Sequence, residues 1–314
     1  MASMMDGVDQ RTQLVGHNRL ELLLFKLDSN QLYGINVFKV KEATPCPNLT
    51  KLPHSHPVIA GAAHVRGQPI SIFDLSRGIG GRPVDDIKEA FVIITEYNRS
   101  VQGFLVSEIV RIVNTSWEEI LPPPSASGQN NYMTAITKLD DELVQIIDVE
   151  KVMAEVVGAD ELVSEELVES FSAQNIEDKP HILVADDSSV ARKQVKRAMD
   201  QIGIDTTIVR DGKEALDQLT AWVEQGIDVK NHISMLISDI EMPEMDGYTL
   251  TAEIRRNPDL KDIKVLLHSS MSGTFNNTMI KKVGADKFIP KFSPDELAVA
   301  VQGLIEEWKE DNPQ

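Results

Sequence analysis

A chain of 314 residues, 42% of them hydrophobic, is long enough to fill the cores of about two domains. Its net charge of −18 argues against binding a nucleic-acid backbone, which needs clustered cations, and no apolar run reaches the roughly 20 residues that span a bilayer. The single Cys46 excludes an internal disulfide, and Met1–Asn18 lacks the apolar core of a signal peptide, so the expected compartment is the reducing cytoplasm.

From the amino end, Met1 to about Leu14 is polar and reads as a tail. Arg19 to Leu27 is a β-compatible apolar run; Asp28-Ser-Asn30 then turns the chain, and Gln31 to Val40 returns as a second strand. Pro53 and Pro57 mark Leu52 to His56 as loop, and His54 and His56 have no third ligand nearby in sequence to suggest a metal. Val58 to Leu75 reads as two strands turning at Gly67-Gln68-Pro69, with Ile70, Ile72 and Leu75 facing the core. The Gly78–Gly81 cluster lacks the spacing of a dinucleotide fingerprint and reads as loop. Ala90–Glu96 and Val101–Val113 form a further hairpin around Asn98-Arg99-Ser100, followed by a short polar stretch with Trp117. Met133–Leu139 and Glu142–Ile147 pair around Asp140-Asp141, and Asp148 is placed to cap a helix over Val149–Val157. Short strands at hairpin spacing predict a mainly-β, barrel-like half with no catalytic motif.

An acidic segment, 159–179, follows. Leu162, Val163, Leu167, Val168 and Phe171 have helical spacing, so it reads as a helical linker; a solvated helix is the expected form and docking of its apolar side the alternative. Beyond it, apolar strands alternate with helices expected near Val190–Ile202, Lys213–Glu224, Tyr248–Arg256, Thr274–Val283 and Pro294–Trp308, the last capped by Ser293. Such alternation predicts a parallel, doubly wound sheet. Glu224 to His232 is long for a helix-to-strand connection and reads as a surface insertion; Trp222 and Trp308 read as packing anchors.

The chemistry gathers at the carboxyl ends of these strands. His181-Ile-Leu-Val-Ala ends in Asp186 and Asp187, Met235-Leu-Ile-Ser ends in Asp239, Ile263-Lys-Val-Leu-Leu-His ends in Ser269, and Lys287-Phe-Ile-Pro ends in Lys291. In open α/β sheets that edge is where ligands bind. Carboxylates crowded there repel by about 4 kcal/mol per pair at 4 Å and an effective dielectric near 20, which Lys291 and a divalent cation would offset. Oxygen-only ligands suit Mg²⁺.

With Met242-Pro243 and Asp246-Gly247 following Asp239, this order of residues resembles response-regulator receiver domains over about His181–Trp308. The resemblance implies that Asp239 is the phosphoacceptor, that Asp186, Asp187, Asp239 and the Glu241 carbonyl serve Mg²⁺, and that Ser269 and Lys291 meet the phosphoryl group. Phe288 takes the aromatic switch position, where Tyr is common, and Phe292 stands where the family usually has Pro. The amino-terminal half, about Leu14–Gly158, resembles CheW-type chemotaxis coupling domains through Tyr33-Gly34-Ile35, Val40-Lys41-Glu42, Val65-Arg66-Gly67 and Ile70-Ser-Ile-Phe-Asp74-Leu75. That family is a pair of small β-barrels binding chemoreceptor tips and the chemotaxis histidine kinase, which makes Glu42 and Arg66 candidate partner-binding residues. Together the two resemblances span 14–158 and 180–310, and they imply a CheV-type adaptor tuned by phosphorylation, a non-enzyme at chemoreceptor arrays without nucleic-acid binding or membrane insertion. A phosphate sink that drains the kinase is the alternative; a metal-dependent hydrolase is the remaining class.

Overall fold

The structure, a computed structural model, describes residues 19–97, 100–116, 119–124, 132–158, 162–173, 180–269, 282–291 and 293–311. The tail, Asn98-Arg99, Trp117, residues 174–179 and the helix expected over Thr274–Val283, save its end at 282–283, lie outside the described residues. The chain divides into two compact units, one of Arg19–Ala159 and one containing Asp160–Gln314. No helix among the described residues is long and apolar enough to cross a membrane.

The first unit holds β1 (Arg19–Lys26), β2 (Leu32–Asn36), β3 (Val40–Pro45), β4 (Ile59–Val65), β5 (Gln68–Asp74), the short α1 (Leu75–Gly78), β6 (Phe91–Tyr97), β7 (Ser100–Val106), β8 (Glu108–Ser116), β9 (Met133–Leu139), β10 (Glu142–Ile147) and α2 (Val149–Val157). They form two five-stranded sheets, ordered β8-β1-β2-β10-β9 and β3-β6-β7-β5-β4. Each curls toward closure through one bridge: Thr50 just beyond β3 pairs with Ala62 on β4, and Leu121 beyond β8 pairs with Ile136 on β9. Successive residues of a strand face opposite sides, which explains the unbroken apolar run of β1. Leu20, Leu22 and Leu24 fill their own sheet's core with Val144 and Ile146, while Leu23 and Phe25 face a core shared with Phe73 and Phe104 of the other sheet.

Three expectations shift here. Gln31–Val40 is not one strand: β2 ends at Asn36, Val37–Lys39 makes a 3₁₀ turn, and β3 joins the other sheet. Val101–Val113 likewise divides at Ser107, with β7 pairing to β6 and β8 to β1, and β8 continues to Ser116. Alternation marks a strand but not the sheet it joins, so neither crossing was visible in the residues. The β4–β5 turn is Arg66-Gly67, one step before the expected position, because Val65 pairs with Gln68. Its two positive φ angles, 48° and 83°, are those of a tight hairpin turn. Asp148 caps α2 as expected, its carboxylate accepting the Lys151 N–H at 3.0 Å.

The second unit begins with α3 (Glu165–Ala173) and continues β11 (His181–Ala185), α4 (Ser189–Gln201), β12 (Asp205–Val209), α5 (Gly212–Glu224), α6 (Val229–His232), β13 (Met235–Asp239), α7 (Gly247–Arg256), β14 (Lys264–Ser269), β15 (Lys287–Pro290) and α8 (Pro294–Asp311). The sheet is parallel throughout, in the order β12-β11-β13-β14-β15. Its inner strands β11, β13 and β14 are buried on both faces, whereas the edge strands β12 and β15 are half-exposed: Ile182, Val184 and Ile237 pack with α4 and α8, Leu183, Leu236 and Leu267 with α5 and α7.

Helix α3 is not a solvated linker. Val163 and Phe171 are buried in the core under α4 and α8, with Leu167 and Val168 packed beside them, while Glu165, Glu166 and Glu169 face solvent. The acid content predicted the outer face, and the apolar spacing the inner one. The insertion after α5 also packs: Val229 and Ile233 are buried, His232 lies edge-on to Trp222 with ring centroids 4.8 Å apart, and the Trp308 indole donates to the Lys230 carbonyl at 2.7 Å.

Candidate functional site

Parallel pairing brings the carboxyl ends of β11, β13, β14 and β15 to one edge, and the Asp, Ser and Lys residues that end the four strands gather there. The Lys291 ammonium lies 2.7 Å from Asp186 Oδ2 and 2.8 Å from Asp239 Oδ2, all three side chains almost wholly buried. Asp186, Asp187 and Asp239 each offer a carboxylate oxygen within 4.8 Å of the others, the one such acidic or histidine group among the described residues. One ammonium against three carboxylates leaves a negative excess in a poorly solvated place. Burial pushes the Asp186 carboxyl well above the usual carboxylate range; Lys291 opposes that rise, and Asp239 and Asp187 add to it. Oxygen-only donors so spaced, with charge left to neutralise, fit a hard divalent cation such as Mg²⁺.

Backbone contacts fix the cluster. Asp239 Oδ1 accepts the Ile240 N–H at 2.7 Å and Asp186 Oδ1 the Ser188 N–H at 2.8 Å. The Lys291 N–H donates to the Ser269 carbonyl at 2.8 Å, joining the ends of β14 and β15. Asp246 and Gly247 support the site rather than enter it. Asp246 Oδ1 accepts the N–H groups of Tyr248 and Thr249 and so caps α7. A Cβ on Gly247 would lie 2.2 Å from the Asp239 carbonyl oxygen, so only glycine lets the chain pass the strand end.

One residue of this architecture escaped the sequence reading. Arg192 Nη1 donates to the carbonyls of Asp186 and Asp187 at 2.6 and 2.9 Å, tying down the loop that carries both acids. The available signal was a cation near the amino end of a helix, where the dipole disfavours positive charge. Ser269 is fully buried, and Glu241 is half-buried in the loop after β13. Phe288 is half-buried, opposite Leu267 in the ladder and packed against the core of α5 and α7.

In the first unit, the two candidate partner-binding residues, Glu42 and Arg66, sit together. They are partners, 2.6 Å apart, Arg66 highly exposed. Glu42 lies on β3 and Arg66 beyond β4, opposite edges of one sheet, so the pair spans the seam that curling closes. His54 and His56 are exposed and belong to no metal-binding group among the described residues.

Residues 21–157 match the CheW-like domain, and residues 182–302 match the response regulator receiver domain. The chemotaxis protein CheV1 of Helicobacter pylori is 31% identical over 325 residues, covering 98% of this chain and 99% of that protein. CheV3 of the same organism is 30% identical over 309 residues, covering 92% of this chain and 96% of its own. The solved scaffolding protein TtCheW of Thermoanaerobacter tengcongensis is 27% identical, covers 41% of this chain and 83% of its own, and superposes with a TM-score of 0.37. With both domains matched in order and the likeness to CheV1 running nearly end to end, the chain belongs to the CheV family of chemotaxis proteins, a CheW-like domain followed by a receiver.

Proposed function

We propose that this protein is an adaptor between chemoreceptors and the chemotaxis histidine kinase, and that phosphorylation of Asp239 tunes it. The observation that carries the reading is Lys291 set between Asp186 and Asp239 at a buried sheet edge, with Asp187 beside them. In the transfer, an Asp239 carboxylate oxygen forms a bond to phosphorus as the P–N bond of the kinase's phosphohistidine breaks, and the leaving imidazole takes up a proton from solvent. Such a reaction asks a protein for alignment and charge neutralisation. Asp186, Asp187, Asp239 and the Glu241 carbonyl would hold Mg²⁺, which supplies positive charge against the phosphoryl oxygens. Arg192 keeps the loop of the two acids in place. Lys291 changes partner from the carboxylate to the phosphoryl group, and Ser269 donates its hydroxyl to a phosphoryl oxygen.

The added group carries up to about two negative charges. It draws Ser269 and Lys291 toward itself, with Phe288 adjusting on the neighbouring strand, and biases a receiver with two conformations. The CheW-like half, through a surface that includes Glu42 and Arg66, then holds its partners differently. Phosphotransfer from the purified cognate kinase tests the first step. The wild type should become labelled and Asp239→Ala should not; Asp187→Asn should fold, bind Mg²⁺ far more weakly in titration and accept label slowly. Equal labelling of Asp239→Ala and wild type would refute the assignment.

A further inference from the structure

Only residues 159–161 separate Gly158, the last described residue of the CheW-like unit, from Leu162. The stretch from Val163 to Ala173 then packs into the receiver, and the receiver's first hold on the connecting chain is where α3 begins. Two side chains grip that point. The Val163 N–H donates to Gln201 Oε1 at 3.0 Å, from the last residue of α4, and the Ser164 N–H donates to Asp295 Oδ1 at 2.8 Å, from the first turn of α8. The Ser164 carbonyl accepts the N–H groups of Leu167 and Val168, which makes Ser164 the start of the helix. Asp295 therefore places a carboxylate at the amino ends of both α3 and α8, where the helix dipoles favour negative charge.

Resting on the reading of Asp239 as phosphoacceptor, we propose that the α4–α8 face is the receiver's output surface, that α3 is its resident ligand, and that Asp295 relays the state of the phosphorylation site to the connecting chain. The relay is short. Lys291 bridges Asp186 and Asp239 and is followed within four positions by Asp295. The described residues on either side of the junction between them are held: the Lys291 N–H donates to the Ser269 carbonyl at 2.8 Å, the Ser293 carbonyl accepts the Leu297 N–H at 3.0 Å, and Pro294 has a fixed φ at the start of α8. When the negative charge that Lys291 pairs with moves outward onto a phosphoryl group, Lys291 follows it and the head of α8 shifts. Asp295 then leaves its position under the Ser164 N–H. The packed side chains Val163 and Phe171 keep α3 on the receiver, so the change is a release at its amino end, beside residues 159–161.

The Ser164 amide reports this contact directly. Its hydrogen exchange is measured in the full chain with Mg²⁺, with and without beryllofluoride as the phosphoryl mimic. On adding the mimic, exchange at Ser164 should rise by roughly ten- to a hundredfold, the range that corresponds to losing one hydrogen bond to a charged group. In Asp295→Ala the amide should exchange fast in both states while Ser269 and Lys291 still respond to the mimic; Asp295→Asn, which keeps an acceptor oxygen, should restore part of the response. Gln201→Ala should expose the Val163 amide and leave the Ser164 response intact, which shows that loosening α3 in general is not the cause. An unchanged Ser164 amide beside responding Ser269 and Lys291 amides would overturn the relay and leave the phosphoacceptor reading standing. Unchanged amides at all three positions, with the mimic failing to bind, would overturn both.

Discussion

Removing the Phe171 ring separates a docked α3 from a tethered, solvated one. The ring is 4% exposed and packs in the same core as Val301 and Leu304 of α8 and Ala198 of α4. Truncating a buried Phe to Ala costs about 3–5 kcal/mol, and the low end applies here because a surface helix relaxes into part of the space. A solvated helix would lose less than about 0.5 kcal/mol. Urea unfolding in a Trp117→Phe background reads the receiver alone, since the remaining tryptophans, Trp222 and Trp308, both lie in that unit. With an m-value of about 2 kcal/mol/M, Phe171→Ala should lower the midpoint by about 1.5 M. A shift below about 0.3 M on the same slope would mean that α3 is not docked in solution and would remove the basis for the relay.

Other consequences are as direct. Gly247→Ala should abolish phosphotransfer while leaving the CheW-like unit intact, because a Cβ 2.2 Å from the Asp239 carbonyl displaces the strand end that carries the acceptor; retained labelling at the wild-type rate would contradict the close approach. Arg66→Ala should change stability by less than about 1 kcal/mol, since the exposed pair with Glu42 is worth little. The same variant should weaken capture of receptor or kinase, and intact capture with a large stability loss would reverse its assignment to a partner surface. Arg192→Ala should weaken Mg²⁺ binding without unfolding the receiver, as its loop of acids is no longer tied at two carbonyls; Arg192→Lys should recover part of the affinity, and an unchanged titration would show that the loop holds itself.

The receiver was legible because each buried strand is an apolar run that stops at a residue too polar to continue it, and parallel pairing then brings those stops together. Met235–Asp239 is the clearest case, buried along its whole length and ending in the acid. The CheW-like half was legible as strands but not as sheets. The chain leaves one sheet for the other at Val37–Lys39 and at Ser107, and a period of two is the same on either side of each crossing. The α3 segment was ambiguous for a related reason: its apolar stripe is equally compatible with docking and with exposure until a face is found to cover it. Arg192 and Asp295 were invisible as functional residues because they act through backbone groups, the carbonyls of Asp186 and Asp187 and the N–H of Ser164, and a backbone partner leaves no mark on residue type.

The central claim is that the phosphoryl group at Asp239 changes how the CheW-like half controls the kinase. ATP turnover by arrays reconstituted from receptor, kinase and this protein, with a separate phosphoacceptor in excess so that drainage limits nothing, measures it. The account predicts that beryllofluoride loading of the wild-type protein changes turnover and that arrays built with Asp239→Ala show no response. Equal turnover for loaded and unloaded wild type would contradict the claim and leave the receiver as a drain for phosphoryl groups.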